Sequence, residues 1–214
     1  MKQPKGVFVT GIGTEVGKTV TAALLVRTLK ADYWKPVQSG DLNHTDTMKV
    51  RKWAGEAAGT FHPERYRLNL PMSPHASAAD DGVTIQLQDF ELPDTRNFLI
   101  VEGAGGLHVP LNDQDCIIDL IQRLGLPVVL VSRHYLGSIN HTLLSVEALR
   151  HRGISIAGLI FNGDPHPSTE SIIEKMTGLQ PLFQLGEMQA LNDECFERQV
   201  QRVGQACKTL LDGL

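Results

Sequence analysis

A chain of 214 residues and 23.5 kDa can bury one substantial core, and 42% hydrophobic with 21% charged residues is the balance of an ordinary globular protein. A formal net charge of -4, a pI of about 6.0 and the lack of a basic block exclude a surface that grips nucleic acid. No apolar stretch has the length of a membrane span, the opening MKQPKG has no signal-peptide core, and three scattered cysteines without a C-x-x-C pair predict reduced, buried thiols in one cytoplasmic domain over 1–214.

GVFVT (6–10) is an apolar run of strand length, and a helix is predicted over Lys18–Lys30 after the glycines that follow it. DYWKPV (32–37) reads as a short second strand stopped by Pro36. TDTMKVRKWAGEAAG (45–59) has helical spacing with an N-cap signal at its start. Residues 60–82 read as a long irregular loop, of a length that goes with function or disorder. NFLIVEGAGG (97–106), LPVVLVSR (126–133), ISIAGLIFN (154–162) and LQPLFQLG (179–186) are further strands. CIIDLIQRLG (116–125), SINHTLLSVEALRHRG (138–153), STESIIEKMTG (168–178) and roughly 192–212 are helices, the second ending in basic residues that suit a helix C-terminus. Apolar strands alternating with helices predict an α/β fold, a mostly parallel sheet with helices on both faces that binds ligands at the carboxyl ends of its strands.

The first strand runs into TGIGTEVGKT (10–19), close to the phosphate-binding pattern G-x-x-x-x-G-K-[ST]. The position where that pattern wants its first glycine holds Ile12; Gly11 stands one residue earlier, so the loop is one residue longer. Gly11, Gly13 and Gly17 let the backbone approach a phosphate, and the N–H groups opening the helix point at the anion. Lys18 then reaches the terminal phosphates and the Thr19 hydroxyl a magnesium ion. The charge of Glu15 does not suit a phosphate, so its side chain is expected to point away and hold a lysine or the loop backbone.

Four further places could carry chemistry. Glu102 ends a buried strand beside this loop, where a carboxylate can hold magnesium, and Gly103–Gly106 leave room for a ligand. Asp46, in HTDT, reads by itself first as an N-cap or first-turn charge, with a second magnesium carboxylate as the alternative. Lys35, in WKPVQSG, is either a solvated lysine or a cation for an anionic intermediate, with the Ser39 hydroxyl close by. Gly137 and Ser138 open a helix whose free N–H groups either cap it or receive a carboxylate, and Asn162 either reads a base edge or closes a turn. His44, His62, His75, His108, His134 and His141 show no ligand spacing.

Taken in order, TGIGTEVGKT (10–19), YWKPVQSG (33–40), Asp46, SPH (73–75), VEGAGGLHVPL (101–111), LGSINHTLL (136–144), AGLIFN (157–162) and LGE (185–187) resemble the dethiobiotin synthetase family over most of the chain. That family's loop has the spacing G-x-x-x-x-x-G-K-T, which Gly11 and Gly17 fit. The resemblance implies an ATP-dependent enzyme of biotin synthesis. One amine of 7,8-diaminopelargonic acid combines with CO2, or bicarbonate as its source, to give a carbamate. The carbamate takes the γ-phosphoryl group of MgATP, and the second amine closes the ureido ring. It implies Lys35, Lys18 and Thr14 as catalytic residues, and Thr19, Asp46 and Glu102 as magnesium ligands. Gly13, Thr14, Glu15, Val16, Gly17, Lys18, Thr19 and Val20 form the implied nucleotide site, with Asn162 at the adenine. The implied substrate site is Lys35, Ser39, Gly105 and Gly106, completed by Leu136, Gly137, Ser138, Ile139 and Asn140 of a second subunit in a homodimer.

The chain departs from the family at Gly13, where a polar residue is frequent, and at Met188–Gln189, where proline is frequent. Two other classes share parts of the pattern. P-loop amide-forming ligases of the cobyrinic acid type carry an added amidotransferase domain, for which 214 residues leave little room. Partition and division-site switch ATPases place a second lysine five residues before the P-loop lysine, where this chain has Gly13.

Overall fold

A computed structural model of the chain describes residues 5–55, 58–186 and 193–212. Seven strands form one parallel sheet: β1 (Gly6–Gly11), β2 (Asp32–Trp34), β4 (Phe61–His62), β6 (Leu99–Gly106), β7 (Val128–Arg133), β8 (Ile156–Asn162) and β9 (Pro181–Leu185). Their order across the sheet is β4-β2-β6-β1-β7-β8-β9, and every paired neighbour runs parallel.

The two-residue alternation of a strand explains why these segments are apolar throughout. Phe8, Leu99, Val101, Val128 and Leu130 face α4 (Ile117–Leu124), α5 (Ser138–His151) and α6 (Pro167–Thr177) in one core cluster. Val7, Val9, Ile100, Val129 and Val131 face α1 (Lys18–Leu29), α2 (Asp46–Ala54) and α7 (Asp193–Asp212) in the other. With helices on both faces, neither side of the sheet has a polar set.

β1 lies between β6 and β7; from β1 the chain crosses to β2 on the β6 side, and after β6 it crosses past β1 to β7 on the other. Their carboxyl ends therefore open a crevice at the place where ligands of such sheets bind. The loop 12–17 fills its floor.

Four sequence expectations need correction. The segment 32–37 is not one strand: β2 ends at Trp34, and β3 (Val37–Ser39) pairs with β5 (Tyr66–Leu68) in a separate two-stranded sheet. Pro36 makes the break; it has no N–H, and its carbonyl accepts from both Arg65 and Tyr66. Residues 60–82 are not an irregular loop, since they hold β4, β5 and α3 (Pro74–Asp80). Strands of two and three residues carry too little periodicity to be read, and their partners lie far away in the chain. The helix predicted over 45–59 stops at Ala54, with Gly55 as its cap. Finally, of the three free thiols only Cys207 is buried; Cys116 and Cys195 are half-buried. Among the described residues no helix is long and apolar enough to cross a membrane.

Candidate active site

The crevice holds a cleft of about 790 Å³ lined by the loop at Thr14, Glu15 and Gly17, the start of α1, Lys35, Ser39, Asp46, Glu102 and Gly105. Each arrives from a different element. The loop follows β1, Lys35 comes directly after β2, Ser39 ends β3, Asp46 opens α2, and Glu102 lies in β6. The strand register accounts for the central meeting. Trp34 pairs with Val101, so the next residues of the two strands, Lys35 and Glu102, come side by side.

The loop is closed by its own lysine: Lys18 Nζ donates to the Gly13 carbonyl at 2.7 Å. Its far end is braced by Asn162, whose Nδ2 donates to the Val16 carbonyl at 2.8 Å. Gly17 has a φ of +99°, and a Cβ there would overlap the Asn162 amide, so this position takes only glycine. A Cβ at Gly13, by contrast, would meet nothing within 4 Å, so the loop leaves room for a side chain there. Glu15 adopts a left-handed φ of 57° and lies exposed at the crest. It is its backbone carbonyl that is held, by Arg133 Nη1 at 3.1 Å. The Glu15 carboxylate has no hydrogen bond or ion pair among the described residues, so it does not hold a lysine as the sequence suggested.

Behind the loop lies a buried charge network. Lys35 Nζ is 2.7 Å from Asp46 Oδ2, 3.1 Å from Glu102 Oε1 and 3.2 Å from the Gly103 carbonyl. Glu102 is fully buried; Oε1 also accepts from the Thr19 hydroxyl at 2.9 Å, and Oε2 from the Tyr33 hydroxyl at 2.9 Å. Asp46 is bonded on its other oxygen by Lys49 at 3.2 Å, and its N–H donates to Gln38 Oε1. Asp46 is a first-turn charge, as one sequence reading had it: it begins α2, capped by the Thr45 side chain, and it also lines the cleft.

The electrostatics follow from this packing. Burial alone would neutralise Lys35, but the Glu102 and Asp46 carboxylates outweigh it and hold its pKa above the ordinary value. Burial likewise opposes the Asp46 charge, and Lys35 and Lys49 overcome it, bringing the carboxyl down to about 2. Burial, then the charge of Lys35, lowers Lys18 to about 8.

Among the described residues no three His, Cys, Asp or Glu side chains are grouped to hold a metal by themselves. What converges instead is the Thr19 hydroxyl and the carboxylates of Glu102 and Asp46, a hard and incomplete oxygen set. That set fits a magnesium ion, which retains waters and takes its remaining ligands from phosphates. Ser39 lines the cleft, and its hydroxyl is buried with no hydrogen-bond partner.

Not every predicted residue converges here. Asn162 meets the loop from behind rather than lining the cleft, and Val16 is buried beneath it. Leu136–Asn140 lie at the start of α5, outside the cleft, with Leu136 wholly exposed. Gly13, Thr14 and Gly106 face a second groove of about 670 Å³, mostly apolar, whose other wall is α5. Glu187 and Met188–Gln189 lie outside the described residues.

Sequence reasoning missed Tyr33, Gln38 and Lys49. Two weak signals existed: Tyr33 shares a strand face with Lys35, and Lys49 is one helical turn from Asp46.

A family profile described as an AAA domain matches residues 5–194. The chain is 56% identical over 173 residues to the ATP-dependent dethiobiotin synthetase BioD of Christiangramia forsetii, covering 81% of this chain and 83% of that protein. It is 46% identical over 191 residues to the enzyme of the same name from Cytophaga hutchinsonii, covering 89% and 92%. The chain belongs to the dethiobiotin synthetase family. Among solved structures, a ParA family ATPase from Chlorobium tepidum TLS superposes over 99% of this chain and 92% of its own, with a TM-score of 0.52 at 13% identity. This chain thus shares its fold with that ATPase, and at that identity the likeness reaches no further than the fold. The loop residues that separate the two classes in sequence, Gly13 to Glu15, form the crest of the loop here.

Proposed function

We propose that this protein is an ATP- and magnesium-dependent dethiobiotin synthase, a ligase that closes a ureido ring on 7,8-diaminopelargonic acid. The observation that carries the reading is Lys35: a buried cation between two carboxylates, at the mouth of a phosphate-binding loop, in a chain of this family. In this reaction one substrate amine and CO2 give a carbamate. A carbamate oxygen then attacks the γ-phosphorus of ATP, ADP leaves, and a carbamic–phosphoric anhydride remains. The second amine attacks its carbonyl carbon, loses a proton and expels phosphate, closing the ring.

Each side chain has a task in that path. Two anions must be brought into contact, so positive charge has to be fixed before they arrive. Lys18 holds the phosphates and Lys35 the carbamate, both buried where charge acts strongly. Thr19, Asp46 and Glu102 would hold magnesium, which when bound neutralises the phosphates. Thr14, on the exposed crest, contacts the phosphate or carbamate, and the unpaired Ser39 hydroxyl takes the carbamate or an amine. Asn162, which braces the loop at the Val16 carbonyl, would recognise the adenine.

The apolar groove beside Gly13, Thr14 and Gly106 suits the substrate's hydrocarbon chain. Its carboxylate is received by the Gly137–Asn140 backbone of a second subunit, which is why these residues lie away from their own chain's cleft. A reduced cytoplasmic setting accords with three free thiols. The switch-ATPase reading has no comparable support.

Incubating the protein with MgATP, bicarbonate and 7,8-diaminopelargonate is expected to yield dethiobiotin by mass spectrometry. ATP turnover with no cyclised product would reject the assignment.

A further inference from the structure

Glu102 uses its two oxygens differently. Oε1 faces the cleft, where Thr19 and Lys35 meet it at 2.9 and 3.1 Å. Oε2 faces the core, where the Tyr33 hydroxyl donates to it at 2.9 Å. Tyr33 is fully buried in β2, with its ring against Phe61 at a centroid separation of 5.8 Å. Its hydroxyl could have been dispensed with for packing alone, since phenylalanine fills the same volume. Tyrosine adds a donor at the one point where Oε2 needs a partner away from water.

A carboxylate rotates readily about its last side-chain bond and offers a cation either one oxygen or both. Two oxygens suit a large, loosely coordinated ion such as calcium; magnesium demands tight octahedral geometry and accepts one. We infer that Tyr33 is a positioning residue that reserves Oε2 of Glu102, so that a single oxygen, Oε1, is presented to the cation beside Thr19. Tyr33 itself touches neither nucleotide nor metal. Its effect is on which ion the nucleotide brings with it and how tightly that ion is held. The inference rests on the reading of this cleft as a magnesium-nucleotide site.

The test is Tyr33→Phe, which keeps the ring and removes the donor. ADP affinity is measured by calorimetry with EDTA, with magnesium and with calcium, after circular dichroism has confirmed folding. Metal-free ADP should bind as in the parent protein. The gain in affinity on adding magnesium should shrink on the order of tenfold, the scale expected of a group that orients a metal ligand. The calcium gain should be kept or increased. Equal weakening with and without metal would show that Tyr33 only supports the fold, and an unchanged magnesium gain would show that Oε2 needs no partner; either overturns the inference. A parent protein with no magnesium gain at all would overturn the site reading beneath it, which is a separate failure. Should Tyr33→Phe not fold, Tyr33→Met, which also lacks a donor, carries the same comparison. As a check on the route, Tyr33→Phe should have no added effect on the magnesium gain in a Glu102→Gln background.

Discussion

At the scale of single residues, the site is governed by where charge is buried. Lys35 has almost no contact with solvent, and the Glu102 and Asp46 carboxylates beside it offset the burial that disfavours its charge. Lys18 is placed differently. Its ammonium rests on a neutral carbonyl, and burial leaves its pKa at about 8. A bound phosphate favours the charged form, so nucleotide should draw a proton onto Lys18 near that pH. Metal-free ADP affinity should be level below pH 8 and fall as the pH rises through it. Calorimetry at pH 8 in buffers of different ionisation enthalpy should report uptake of about half a proton, a group half-titrated in the free protein and charged in the complex. Heats that do not depend on the buffer would reject this role. That a phosphate loop lay at 11–19 was legible because its residues are contiguous. That Tyr33 belongs to the same network was not, because it reaches Glu102 across 69 residues of chain, and Lys49 showed only its one-turn spacing from Asp46.

At the scale of elements, the start of α2 matters more than its length. Thr45 is buried, and its hydroxyl accepts the Met48 N–H at 3.2 Å, fixing the turn from which Asp46 projects. Thr45→Ala should cost about 1 kcal/mol, the usual worth of such a cap. In a chain of this size the melting temperature should then fall by about 2–4 °C. The concentration of metal-nucleotide needed for half-maximal turnover should rise, since Asp46 loses its anchor. A lowered melting temperature with unaltered metal-nucleotide dependence would separate the cap from the site. The sequence marked this N-terminus well but overran the helix at its far end. The small β3–β5 sheet, which carries Ser39 to the cleft, was invisible, because three-residue strands acquire meaning only from their partners.

At the scale of the whole molecule, one cleft lies inside the chain and a second, more apolar groove opens along α5. Leu136 has a relative exposure of 104%, and Tyr135 and Leu144 are also exposed, an arrangement that suits burial against a second copy. Sedimentation should report twice the 23.5 kDa chain mass at micromolar protein. Leu136→Asp should shift it to the monomer, lower the apparent affinity for 7,8-diaminopelargonate at least tenfold, and leave ADP binding unchanged. A fully active monomer would reject the shared site.

The alternation of apolar strands with helices settled the α/β class by itself, because a sheet covered on both faces has no polar side to display. The glycines and Lys18–Thr19 marked a phosphate-type loop by themselves, because its residues are contiguous in the chain. The meaning of Lys35, Asp46 and Glu102 was decided by tertiary structure. Each alone has an ordinary reading as a surface lysine, a first-turn charge or a strand-end carboxylate. Only the register of β2 against β6, with α2 laid beside them, brings the three into one buried network.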